Sequence, residues 1–239
     1  MKRLFDGLTI LVASAVAGAL FTVAEAAQQE TTKAPAKQDP AFASVSDSPA
    51  LPRVLLIGDS ISIGYTVPVR TALAGTANVH RIPVNGGTSA NGLAHIDEWL
   101  GDGRWDVIHF NWGLHDLWTT DGKQRIPVAQ YEANLGKLVE RLKKTNAKLI
   151  WCSTTPVPAD IAIKTRCNAD VIAYNAAAKK VMDENGVPID DLYAFALPRL
   201  KEVQIPANVH FTGKGSTVLA GPVSDAIRNA LANSGAKKQ

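Results

Sequence analysis

The sequence predicts a three-layer α/β/α domain built on a central parallel sheet of about five strands. From Arg53 onward, short runs rich in Val, Leu and Ile alternate with longer amphipathic stretches. Such alternation marks strand–helix–strand units joined by right-handed crossovers. The first run is continuously apolar, as expected of a strand covered on both faces. Polar clusters stand where the runs give out, at the edge where open parallel sheets hold their ligands.

The first strand is Leu55-Leu56-Ile57, which gives way to Gly58-Asp59-Ser60-Ile61-Ser62. Gly58 permits a sharp turn, and Ser60 then stands at the carboxyl end of the strand. The same tripeptide is also an ordinary turn composition. A helix is expected to start at Thr66-Val67-Pro68, with Pro in its first turn, and to close at Gly75. A second strand over 78–83 runs into Asn85-Gly86-Gly87-Thr88-Ser89, whose two glycines expose backbone amides. A helix over 89–100 follows, ended by Gly101-Asp102-Gly103.

The third strand, 105–110, empties into Asn111-Trp112-Gly113-Leu114-His115-Asp116. Val128, Tyr131, Leu135, Leu138, Val139 and Leu142 form a helical stripe. A fourth strand over 148–153 leads into Thr154-Thr155-Pro156-Val157-Pro158. Asn168 is placed to cap a helix carrying Val171, Ile172, Asn175, Ala178 and Met182, with Gly186 as its stop. A short fifth strand spans 187–190. Thr212 caps a last helix lined by Leu219, Val223, Ile227 and Leu231, which Pro222 should kink or split.

The 239 residues suffice for one such domain, and 46% hydrophobic with 20% charged residues is ordinary for a globular chain. The net charge of +3 is too small and too dispersed for nucleic acid. Met1-Lys2-Arg3, an apolar run from Leu8 to Val23 and Ala24-Glu25-Ala26 have the order of a signal peptide, so residues 1–26 are expected to be a leader. Export to the periplasm or beyond follows, with membrane attachment only if the leader stays uncleaved. Residues 27–52, rich in Gln, Thr, Lys, Pro, Ser and Ala, are expected to be a flexible tether. The domain proper is then 53–233, and 234–239 a tail. Cys152 and Cys167 either pair, at a gain of roughly 3 kcal/mol in the chain-entropy model, or Cys152 simply fills a core position.

Ser60, the glycine loop, Asn111 to Asp116 and His210 all fall at strand ends or just before the last helix, so they can converge on one edge. A hydroxyl, a base for its proton and preset donors for an oxyanion are what acyl transfer needs. His80, His95 and His109 read as packed or surface residues. No His/Cys/Asp group has the spacing of a metal site, and no cofactor is expected.

These blocks, in this order, resemble those of the GDSL/SGNH hydrolases: Gly58-Asp59-Ser60-Ile61-Ser62, a glycine after the second strand, Gly113-Leu114-His115-Asp116, and Val209-His210. The resemblance covers about 53–227 and implies an SGNH/flavodoxin-like fold. It implies Ser60 as nucleophile and His210 as base. It also implies oxyanion donors from the amides of Ser60 and Gly87 (or Gly86) and from a third group. That third donor is an Asn side chain in the family, but the position is His115 here, so either His115 or nearby Asn111 serves. The family's Asp three residues before the base is Ala207, and Asn208 is the nearest polar substitute. The base then works as a dyad with Ser60, borrows an acid from elsewhere, or works weakly.

Trp112 and Trp118 are either a substrate wall or core aromatics. The expected activity is an exported serine esterase acting on small-molecule or polysaccharide acyl esters, acetyl first, through a seryl acyl-enzyme. A carbohydrate-binding protein with an impaired site and an acyltransferase on the same scaffold are the alternatives.

Overall fold

A computed structural model describes residues 39–161 and 165–235. The expected leader, most of the first half of the expected tether and the last four residues lie outside them. Five strands form the central sheet: β1 Arg53–Ile57, β2 Asn78–Arg81, β3 Val107–Phe110, β6 Lys148–Cys152 and β7 Ile189–Asp190. All four pairings are parallel and the spatial order is β2-β1-β3-β6-β7. The chain steps outward from β1 to β2, then returns past β1 to β3. The carboxyl ends of β1 and β3 therefore flank a topological switch point, where a crevice opens. A two-residue hairpin, β4 Thr119–Thr120 and β5 Lys123–Gln124, lies in the connection after β3.

Helices cover both faces because the strands are apolar on both. Leu55, Ile57, Ile108, Phe110 and Trp151 pack under α2 Ser89–Leu100, α3 Val128–Lys143 and α4 Asn168–Asn185. Val54, Leu56, Val107, Ile150 and Cys152 pack on the other face, under α1 Ser60–Ala72 and α7 Gly213–Gly235. The short helices α5 Leu192–Ala196 and α6 Leu200–Val203 close the end of the chain that the sequence left unassigned. Three layers and five parallel strands are as expected.

Several local expectations are corrected. The first helix starts at Ser60, not Thr66: Asp59 Oδ1 accepts from the Ile61 amide at 2.9 Å and caps it. Pro68 thus falls inside the helix, where Pro costs about 3 kcal/mol. Burial of Tyr65 and Val69 on the sheet offsets that cost. Pro222 likewise lies within α7, which runs on unsplit to Gly235. Thr212 does cap α7, its Oγ1 accepting from the Gly215 amide at 2.9 Å. Asn168 is not a cap. Its Oδ1 accepts from the Val157 amide at 3.2 Å and its Nδ2 donates to the Tyr193 hydroxyl at 2.8 Å, so it ties the loop after β6 to α5.

The cysteines are unpaired. Cys152 is a buried strand residue whose thiol burial pushes well above its ordinary pKa, and Cys167 is exposed ahead of α4. The second half of the expected tether is ordered against the domain. Ala41 is buried, Asn78 exchanges hydrogen bonds with the Ser48 backbone at 2.9 and 3.0 Å, and Asp47 pairs with Arg53 and His80. Few of these anchors are apolar, so composition alone read the stretch as loose.

Candidate active site

The turn after β1 is set by close approach. A Cβ on Gly58 would meet Ser62 Cβ at 2.7 Å, and the Gly86 amide donates to Gly58 O at 3.0 Å. Asp59, nearly buried, spends its carboxylate on the helix cap. Ser60 is therefore the first residue of α1. Its amide has no intrahelical acceptor, and it sits at the positive end of the helix dipole.

His210 arrives on a tight turn. The Asn208 amide donates to Ile205 O at 3.2 Å, and the Ile205 amide to His210 O at 2.9 Å. Ala207, where the family resemblance leads one to expect an acid, has φ +54, in the left-handed region. The turn puts His210 Nε2 2.9 Å from Ser60 Oγ. On the far side of the ring, Nδ1 is 2.8 Å from Asn208 Oδ1, which also accepts the His210 backbone amide at 3.0 Å. That backbone donor fixes which end of the Asn208 amide is oxygen. Nδ1 must then carry the hydrogen, which leaves the Nε2 lone pair facing the serine hydroxyl.

The two proposed third donors are placed differently. Asn111 is buried and its Nδ2 is spent on Cys152 O at 2.7 Å and Thr154 Oγ1 at 3.2 Å, so it does not reach the site. His115 instead lines the cavity that holds Ser60 and His210, a space of about 400 Å³. Burial lowers its pKa, and Arg166, Arg125 and His210 push the same way against Asp59. It is a neutral imidazole at neutral pH, able to donate one N–H.

The glycine amides are not free as expected. Gly86 N–H goes to Gly58 O, and Gly87 N–H to Asn85 Oδ1 at 3.0 Å, an Asx turn. An oxyanion would have to displace Asn85 Oδ1 to use Gly87. Trp112 is core: it is buried, and a Cβ at Gly92 would meet its ring at 2.6 Å. Trp118 does line the cavity. If His115 is the donor, His115→Ala should cost ~10²–10³ in kcat with an unchanged melting temperature, and His115→Asn should recover part of it. Asn111→Ala should instead lower the melting temperature.

Asp116 ties the His115 loop to the start of α2. Its carboxylate accepts the Ser89 amide at 2.9 and 3.1 Å and the Ser89 hydroxyl at 2.5 Å. Burial raises its pKa to about 6, against those hydrogen bonds. A carboxylate raised in the folded state adds stability below its unfolded pKa of ~4, and this is lost as pH rises through 6. Melting temperature measured against pH should therefore include a fall between about 4 and 6, and Asp116→Asn should flatten that component. An unchanged pH profile in the variant would mean that folding does not raise the Asp116 pKa.

His109, read as packed, is fully buried and pairs through Nε2 with Asp190 Oδ2 at 2.9 Å, stitching β3 to β7. Together with Cys152 these residues bring three potential metal-ligating atoms within 4.8 Å, a juxtaposition of separate strands that sequence spacing does not reveal. A larger depression of about 540 Å³ lies at the other end of the sheet, between Lys148, Ile189 and Ala230. It contains no hydroxyl–imidazole pair.

With Ser60, His210 and the flanking loops gathered at the carboxyl ends of β1 and β3, residues 56–218 match the model of the GDSL-like lipase/acylhydrolase family. The chain belongs to that family. An arylesterase of Vibrio mimicus is 25% identical over 114 residues, 43% of this chain and 54% of that protein. The chain thus matches about half the length of that relative. The lipase/acylhydrolase from Enterococcus faecalis superposes with TM-score 0.66 at 20% identity, over 74% of this chain and 96% of that one. The acetyl xylan esterase AlAXEase superposes with TM-score 0.63 at 19% identity, over 73% and 99%. At such identities these structures support the fold. Four cavity residues escaped the sequence reading: Asn85, inside a loop valued only for its glycines, and Ile161, Thr165 and Arg166, in a stretch with no recognisable motif.

Proposed function

We propose that the protein is an exported serine esterase that removes acetyl groups from carbohydrate or small-alcohol esters. The observation that carries the reading is the line Ser60 Oγ–His210–Asn208, at 2.9 and 2.8 Å, inside a GDSL-family fold. Ser60 Oγ attacks the ester carbonyl while His210 Nε2 takes its proton. The Ser60 amide and the neutral His115 hold the oxyanion. His210 returns the proton to the departing alcohol, leaving an acetyl-Ser60 ester. Water, deprotonated by the same nitrogen, then releases acetate and regenerates the hydroxyl.

Acetyl and carbohydrate specificity draw support from the modest cavity, the presence of Trp118 in its lining and the acetyl xylan esterase among the structural neighbours. Turnover of p-nitrophenyl acetate separates an esterase from a binding protein, the reading that the neutral Asn208 favours. Acetate transfer to added alcohols in preference to water would identify an acyltransferase. Export draws support from the basic, apolar and Ala24-Glu25-Ala26 order of the first residues. N-terminal sequencing of secreted protein should begin at Ala27, and recovery of Met1 would favour an anchor.

A further inference from the structure

One wall of the cavity is cationic, and no acid stands in its described lining. Arg166 lines the space beside Trp118 and Thr165, its guanidinium carbon 3.9 Å from the centroid of the Trp118 ring. Arg125 lies over the same indole at 4.5 Å. Nε of Arg166 donates to Leu114 O at 2.8 Å, which fixes the plane of the fork. Among the described residues neither arginine forms a salt bridge, although nine other pairs do. Burial and the Arg125 charge bring Arg166 down to about 10, against the pull of Asp59, so it is still a cation at neutral pH.

The described lining of the cavity contains no Asp or Glu, and Arg166 is its one formal charge. Even the residues beside the base are neutral, Ala207 and Asn208. Two like charges over one ring repel each other, and an anion in the cavity would relieve that repulsion. A guanidinium held by Nε and by stacking still offers its two terminal nitrogens, and this fork matches the two oxygens of a carboxylate. Arg166, the one formal charge in the described lining, offers its fork to one carboxylate.

We propose that the site takes acetyl esters of alcohols that themselves carry a carboxylate, and that Arg166 receives that carboxylate. The inference rests on the esterase reading and narrows its substrate class, for carbohydrates to acidic sugars. It assigns Arg166 to specificity, with the stacked Trp118 as its support. The neutral surroundings of His210 fit the same purpose, since a carboxylate there would repel the substrate.

The test compares 3- and 4-acetoxybenzoate with the uncharged 3- and 4-acetoxybenzamides, each kcat/KM divided by the rate of alkaline hydrolysis. The native protein should prefer the anionic esters at least tenfold at low ionic strength, and added salt should shrink the preference. Arg166→Gln should bring the ratio close to one, and Arg166→Lys should keep part of it. Circular dichroism and fluorophosphonate labelling of Ser60 check that each variant retains its site. If Arg166→Gln does not fold, the preference of the native protein and its salt response decide. Equal turnover of both ester types by the native protein overturns the inference and leaves the esterase reading standing. So does a preference that survives Arg166→Gln. No turnover of any ester, with no labelling of Ser60, overturns both.

Discussion

Ser60→Ala should remove essentially all ester turnover, a fall on the order of 10⁶-fold in kcat if the seryl route carries the reaction. The fold should not suffer. The Ser60 side chain makes a single hydrogen bond, to His210, and the helix beginning there is capped by Asp59. Fluorophosphonate labelling should vanish with activity while the thermal melt stays in place. The control lies two residues on: Ser62 is buried against the turn at Gly58, so its substitution should affect stability first. Labelling that persists on another serine in Ser60→Ala would move the nucleophile elsewhere.

Asn208→Asp should raise kcat on an activated ester. The Asn208 oxygen already accepts both the His210 ring hydrogen and the His210 backbone amide, so a carboxylate can take its place without moving the turn. The gain is electrostatic: imidazolium forms as Ser60 gives up its proton, and an anion beside Nδ1 stabilises it where a neutral amide does not. In a serine protease, Asp-to-Asn at this position costs ~10⁴ in kcat, part of it through the wrong tautomer. Here the tautomer is already correct, so the gain should fall well short of that factor. The added charge favours protonated His210. The base must be neutral to act, so the acid limb of kcat against pH should move to higher pH. An unmoved limb and an unchanged kcat would show that Asn208 does not orient the base.

The layers of the fold and the convergence of Ser60 with His210 were legible because each rests on local pattern. Continuous apolar runs mark buried strands, and the strand-to-turn position of Ser60 follows from chain order. What stayed hidden depends on distant partners. Nothing near Asn111 announces that Cys152 O and Thr154 Oγ1 will consume its amide. Trp112 and Trp118 look alike in sequence, but one meets Gly92 on α2 and the other meets two arginines. The first helix starts earlier than Pro68 suggests because the Asp59 side chain caps it at Ser60. The left-handed Ala207 follows no residue preference, since Gly or Asn is favoured there, and only the turn that carries His210 accounts for it.

β2 is the outer strand on its side of the sheet, and residues within 39–52 hold its side chains. Ser48 and Leu51 bond the Asn78 side chain, and the Phe42 ring sits 5.0 Å from the Arg81 guanidinium. An outer strand presents a row of unpaired amides and carbonyls, and it invites pairing with another chain unless something lies over it. The strap also brings Asp47, an anion whose partners Arg53 and His80 belong to the two strands of that edge. A protein trimmed to begin at Arg53 would keep its whole catalytic constellation, but it would lose these contacts beside an outer strand and should be more adhesive there. Self-association would then limit its working concentration before any loss of chemistry did.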